Sequence, residues 1–417
     1  MAVDQANWKA ELNGYQIEHQ CPQCGAPVLL DEADRLLACP FCRTRLYLVT
    51  PDYFRYRIPA PEEQGKDMLY LPYWRLKGAS FCVRGDEVRP RFVDTSILAT
   101  DGAGLPRSLG LRPQTMKLKF ASPDMTGRFL ETRLTSQSVI PAIDASDPGG
   151  KTFYRAFIGE WVSLVYAPAY CENGTLYDAL LKRPLSAWPD EPAAAADVKP
   201  PNWQIRFIPT LCPGCGWDLQ GEKDVLVLTC QNCDSAWKCS GEALTEVPFA
   251  VLTAAAKKEI VYMPFWRMKP RAEGIALNSY ADLIRLANLP KAVNPAFASV
   301  PIYFWSPAFK VNPALFLRWS RQMTIYQPEG KTVDTFAGAS CYPVTLAGQE
   351  AVEGMKITLA ELIVDKRLMY PLLKDMRLSA DEVMLVYHPF LVGPRELIHE
   401  TMHLTLDRMA LNYGAYL

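Results

Sequence analysis

Two Cys-x-x-Cys pairs held fourteen residues apart constrain this chain more than any other feature. The first set runs from Cys21 through Cys24 and Cys39 to Cys42, as CPQC-GAPVLLDEADRLLA-CPFC. The second runs from Cys212 through Cys215 and Cys230 to Cys233, as CPGC-GWDLQGEKDVLVLT-CQNC, again with fourteen residues between the pairs. Eight of the twelve cysteines lie in these two clusters, which is far from a random scatter. Four thiolates at this spacing can close a tetrahedral site around one metal ion. Each Cys-x-x-Cys turn aims two sulfurs at the metal, and the insert brings the turns together. Gly25 and Gly216 follow the first pair of each set, where a positive φ lets backbone N–H groups face the sulfurs. Arg43 and Asp234 follow the second pairs and match that rule less well.

The clusters resemble zinc ribbons, and their CPxCG turns resemble rubredoxin knuckles. The resemblance covers about 22 residues in each half of the chain. It implies that Cys21, Cys24, Cys39 and Cys42 form one Zn2+ site and Cys212, Cys215, Cys230 and Cys233 a second, both structural. Rubredoxin-like iron and a redox dithiol are the competing readings. The short insert and the lack of a βαβ context argue against both. Four sulfur ligands leave no open position for substrate or water, so such sites hold small domains together rather than catalyse. Cys82, Cys171, Cys239 and Cys341 fall outside the pattern, and Cys239, six residues past Cys233, reads as a buried thiol rather than an alternative ligand.

The flanking sequence repeats as well. LYLPYWRLK (Leu69–Lys77) returns as VYMPFWRMK (Val261–Lys269), and LVYAP (Leu164–Pro168) as LVYHP (Leu385–Pro389). The landmarks keep their order, which describes a tandem duplication of a unit of about 200 residues. The fold expected is mainly β with some α (α+β), in two homologous halves, each a four-Cys zinc ribbon followed by a β-rich domain. The boundaries are 1–50 for ribbon 1, 51–185 for β-rich domain 1, 186–202 for a linker, 203–245 for ribbon 2 and 246–417 for β-rich domain 2 with helical insertions. Residues 186–202, rich in Ala, Pro and charge, have a linker's composition.

Local patterns fill in the units. A helical turn is expected around Asn7–Leu12. The first insert reads as a hairpin, Val28–Leu30 turning through Asp31–Asp34 into Leu36–Ala38. Strands follow at Arg45–Val49, Leu69–Gly85 and Glu160–Tyr170. Glu172-Asn173-Gly174 signals a hairpin turn with Thr175–Leu181 as the return strand. Residues 95–135 read as loops and short strands, and helical pieces are expected at Tyr280–Ala287 and Leu359–Leu368. Thirty-four prolines favour short strands and loops over long helices.

These patterns bear on three function classes. His399-Glu400-Thr401-Met402-His403 is an H-E-x-x-H string, which on a helix binds zinc through both His with Glu as general base. The repeat instead lays this segment over TLYDALLK (Thr175–Lys182), read as a strand, where the two His would stand about 13 Å apart at about 3.3 Å per residue. His388 reads as a strand residue, since Ala167 takes its place in the other half. The aromatic and basic residues of YLPYWRLK could stack on bases and neutralise phosphates. A strand packed on both faces, with Arg and Lys snorkelling at its end, gives the same pattern. A net charge of -1 supplies no global attraction to nucleic acid or to anionic membrane. No run of about 18 apolar residues and no signal pattern stands out, so a cytoplasmic location is expected. The reading reached is a non-enzymatic, zinc-binding scaffold or adaptor for protein partners. A nucleic-acid-binding ribbon protein and a zinc metalloprotease are the alternatives, and no small-molecule substrate is evident.

Overall fold

A computed structural model describes residues 15–60, 68–101, 104–110, 116–143, 151–188, 202–255, 259–336, 338–402 and 404–414. The helical turn expected near Asn7–Leu12 and most of the 186–202 linker lie outside these residues. Strand outweighs helix, as the β-branched and aromatic runs require. No helix among the described residues is long and apolar enough to cross a membrane.

The first sheet is built on two long antiparallel strands, Met68–Arg84 and Thr152–Glu172. From Leu69 to Ser80 nearly every residue of the first is buried, so both of its faces are covered and its apolar residues need not alternate. Glu87–Leu98 pairs with one side of it after a tight turn at Gly85. Phe54–Arg57 runs parallel to the 152–172 strand, and Lys117–Phe120, Gln16–Gln20 and Pro27–Asp31 extend the sheet. In the second sheet Ile260–Glu273 and Arg377–Val392 form the long pair. Phe304–Pro307 lies beside the former, and Phe249–Leu252 runs parallel to the latter.

The same local bonds recur in both sheets. Trp74 Nε1 donates to the Leu134 carbonyl at 2.7 Å, and Trp266 Nε1 to the Leu346 carbonyl at 2.9 Å. Ala99 N donates to the Pro72 carbonyl and Ala308 N to the Pro264 carbonyl. Pro72 stands opposite Tyr166 as Pro264 stands opposite Tyr387. The central Trp of each repeated motif thus anchors its strand to the loop that leads into a helix.

Helices Pro313–Tyr326 and Gly348–Leu362 cover the second sheet. Their core also takes in Phe81, Val83, Val88 and Ile158 from the far ends of the first sheet's long strands. Phe81 and Phe316 place their rings 5.7 Å apart. Gly354 lets helix and strand close up, because a Cβ there would meet Ile158 Cδ1 at 3.1 Å.

Several elements differ from the sequence reading. The strands Pro27–Asp31 and Leu36–Ala38 form as expected but do not pair with each other. The first pairs with Gln16–Gln20 and the second with Arg45–Val49, so the acidic turn passes the chain between two sheets. Residues 95–98 belong to the twelve-residue strand Glu87–Leu98, whose Pro90 and alternating charges hide its period. The 172–174 turn holds, with Asn173 and Gly174 at φ 50° and 69°, but its return strand ends at Asp178. A helix occupies Tyr280–Leu286, while the second expected helix starts earlier, at Gly348, and ends at Leu362.

Candidate metal centres

Each Cys-x-x-Cys folds into a tight turn closed by its own backbone. Gly25 N donates to the Cys21 carbonyl and Cys21 N to the Ala26 carbonyl, both at 2.8 Å. Gly216, Cys212 and Trp217 repeat the pattern at the same distances, and Arg43, Cys39 and Thr44 repeat it at 3.0 Å. All four turns end on a positive φ: 72° at Gly25, 63° at Arg43, 74° at Gly216 and 49° at Asp234. Glycine takes this conformation without strain, whereas Arg43 carries it at a cost of about 1–2 kcal/mol. At Asp234, a residue type that tolerates it, the carboxylate also accepts the Phe336 N–H at 2.8 Å.

These turns bring the sulfurs of each set together. Cys21 and Cys42 Sγ lie 3.7 Å apart, as do Cys24 and Cys39. In the second set the distances are 3.6 Å for Cys212 and Cys233 and 3.5 Å for Cys215 and Cys230. All four sulfurs of each set fall within 4.8 Å of one another, so each cluster could hold one metal ion. A tetrahedron with metal–sulfur bonds of about 2.3 Å has edges of about 3.8 Å, which these sulfurs nearly match. Cys21, Cys39, Cys212 and Cys230 are buried, while Cys24, Cys42, Cys215 and Cys233 face outward.

Within each set, individual thiols are pushed in opposite directions. The hydroxyl and N–H of Thr44 pull Cys42 down to about 6. At Cys212 burial opposes ionisation, but donors from Ser235, Cys215 and Gly214 outweigh it and also bring the thiol to about 6. Cys24 has an Ala26 N–H that favours the thiolate, yet desolvation and the neighbouring sulfurs push it up to about 12. Cys233 is pushed to about 12 in the same way, against a donor from Ser235. Crowded sulfurs cannot all ionise alone, whereas a dication would stabilise all four thiolates at once.

The two clusters sit on a joined support. Arg206–Pro209, which leads into the second set, pairs with Arg45–Val49, which leaves the first. Tyr47 Oη donates to the Val225 carbonyl at 3.0 Å, and Arg45 Nη2 to the Gly221 carbonyl at 3.1 Å. Leu36, Tyr47, Val49, Leu219, Val225 and Leu228 form one small core between them, with Cys212 and Cys230 on its edge. Cys239 is half-buried and donates its thiol to the Gly241 carbonyl, outside both clusters.

The described part of the H-E-x-x-H string, His399 to Met402, is not helical. His399 ends the strand Glu396–His399, and Glu400, Thr401 and Met402 form a turn. His403 lies outside the described residues. His399 Nδ1 accepts from Thr401 N and Met402 N, both at 3.2 Å, so the proton sits on Nε2. That nitrogen lies 3.1 Å from His388 Nδ1, which therefore accepts and leaves its own proton on Nε2. Both His399 nitrogens are committed, and the Glu400 carboxylate accepts the Ala255 N–H. Burial, with His399 and Arg267 nearby, pushes His388 well below the ordinary histidine range. Asp178 makes similar bonds in the first sheet's hairpin. Its carboxylate accepts from Leu180 N and Leu181 N in the matching turn, as His399 accepts two and three residues on.

The aromatic–basic strand is equally occupied. Leu69 to Leu76 are buried, and Arg75 does not snorkel. Arg75 Nη2 and Nε donate to the Glu32 carboxylate at 3.0 and 3.3 Å, Nη1 pairs with Asp94, and the Tyr15 ring lies 4.3 Å from its guanidinium carbon. Lys77 reaches the same Glu32 at 3.3 Å. Bases and phosphates have no access to these side chains. The sequence reading placed Glu32 in the acidic turn Asp31–Asp34, and nothing local marks it as the buried partner of a residue 43 positions away.

Comparison with protein-family models, with curated proteins and with solved structures finds no match to this chain.

Proposed function

We propose that the chain is a zinc-binding scaffold or adaptor, built by tandem duplication, that joins protein partners in a cytoplasmic complex. Each four-Cys set holds one structural Zn2+, ligated by Cys21, Cys24, Cys39 and Cys42 and by Cys212, Cys215, Cys230 and Cys233. The sulfur spacing suits zinc, and four thiolates need a reducing compartment to stay free of disulfides. The recurrent bonds around Trp74 and Trp266, and around Asp178 and His399, support descent of both halves from one unit.

One observation carries the adaptor reading. The closed metal sites present bare aromatic side chains beside their knuckles, Phe41 at 66% and Trp217 at 60% exposure. Aromatics on a rigid support lose little entropy on docking and make typical interface anchors. The test uses the full-length tagged chain at its native level. A protein partner is expected to co-elute at fixed stoichiometry after nuclease treatment and in about 0.5 M salt, where long-range charge attraction is screened. Phe41→Ala and Trp217→Ala are expected to weaken that association about tenfold or more with metal content unchanged. Loss on nuclease treatment would favour the nucleic-acid reading. Association indifferent to both substitutions would remove the knuckle surface from the account.

A further inference from the structure

A cleft of about 970 Å³ opens beside the second sheet, with none of the eight cluster cysteines in its lining. That is the upper end of the range for small-molecule sites. Arg267 and Trp305, register partners on adjacent strands, form its floor. Tyr303, Tyr280 and Phe297 supply aromatic walls, and Lys291 stands at the rim with Nζ 3.0 Å from Tyr280 Oη. The Tyr303 ring lies 4.7 Å from the guanidinium carbon of Arg267.

Arg267 is weakly held. Nη2 donates to Glu382, itself 44% exposed, and to the Met384 thioether, a poor acceptor. Its Nε is buried and has no partner among the described residues, and the same is true of Trp305 Nε1. An arginine donor left so is costly and calls for an acceptor.

The chain itself shows what that acceptor is. Arg75 holds the matching place in the first sheet, one residue after the Trp that donates to a loop carbonyl. There the Nε–Nη2 edge is taken by the Glu32 carboxylate, with an aromatic ring over the guanidinium. In the second sheet the ring is present as Tyr303, but the Glu382 carboxylate takes only Nη2, at 3.2 Å, and Nε has no partner among the described residues.

We propose that this cleft binds a small molecule carrying a carboxylate on a flat apolar body. The Arg267 guanidinium turns from Met384 and the exposed Glu382 toward the cleft, and its Nε–Nη2 edge donates to the carboxylate as Arg75 donates to Glu32. The flat body stacks among Tyr280, Phe297 and Tyr303, and Lys291 adds a second positive charge. This site is independent of the adaptor reading and of the metal centres.

Calorimetric titration of the full-length chain with indole-3-acetate and 2-naphthoate tests the proposal, with indole-3-acetamide and 2-naphthamide as neutral controls and phenyl phosphate as a second anion. At least one carboxylate is expected to saturate below about 1 mM, with its amide about tenfold weaker or worse. Arg267→Gln is expected to abolish that preference, while Arg285→Gln, an exposed charge outside the cleft, leaves it intact. Equal binding of acid and amide, saturation by neither carboxylate, or preference for phenyl phosphate would overturn the proposal. Should Arg267→Gln fail to fold, the acid-over-amide ratio of the unmodified chain decides alone.

Discussion

Arg75, Glu32, Asp94 and Lys77 show how far a single residue's role can lie from its sequence signature. Arg75, Glu32 and Lys77 are buried, with Asp94 at the surface edge; removing one buried partner would leave an uncompensated charge, whereas the intact set fixes how the acidic turn seats on the long strand. Two residues on, burial raises the Asp34 carboxyl from 3.8 to about 6, against an N–H from Asp31 and the charge of Lys223 that favour ionisation. Because the native state then binds this proton more tightly than the unfolded chain, stability is highest below pH 4 for this group and is lost as pH rises through about 6. The loss is on the order of 3 kcal/mol. Asp34→Asn is therefore expected to be the more stable chain at pH 7 in urea titrations, with the advantage shrinking toward pH 4. An advantage that grows as pH falls would refute this. Eight cysteines were legible as a set because metal geometry fixes their spacing locally. The buried charges were not, since Glu32 and Arg75 meet only through the tertiary fold.

Among elements, those with a strong local rule were readable. Asn173-Gly174 takes two positive φ values and closes its hairpin as the dipeptide demands. Doubly buried strands were found through their aromatic and branched runs. The helix Pro313–Tyr326 was missed although Asn312 accepts from Ala314 N and Pro313 stands at the first helical position, both ordinary start signals. Its alternating aromatic and charged residues diluted the 3.6-residue period. The hairpin Arg377–Val392 to Glu396–His399 places His399 at the end of a strand as the turn's acceptor, as Asp178 is in the other sheet, rather than on a helix. His399→Ala would leave two N–H groups and His388 without their partner and is expected to cost about 2–3 kcal/mol. Metal content should not change. Loss of one bound ion on this substitution, measured by elemental analysis, would restore the protease reading.

At the scale of the whole molecule, the repeated motifs fall on the long strands of two sheets, but the sequence did not show how those sheets pack. The metal-centre supports share a sheet and a core, and the ends of the first sheet's long strands lie within the second sheet's core. These contacts join segments some 150 or more residues apart, and no local pattern encodes them. The two four-Cys clusters, each able to hold one metal ion, therefore sit on one joined support, and the proposed function requires one closed zinc in each. Elemental analysis with native mass spectrometry of the full-length chain, purified without added metal, tests this directly. The prediction is two zinc ions per chain, one lost in Cys39→Ser/Cys42→Ser and the other in Cys230→Ser/Cys233→Ser. Iron in place of zinc, a third ion that survives both double substitutions, or a folded chain with fewer than two ions would contradict it.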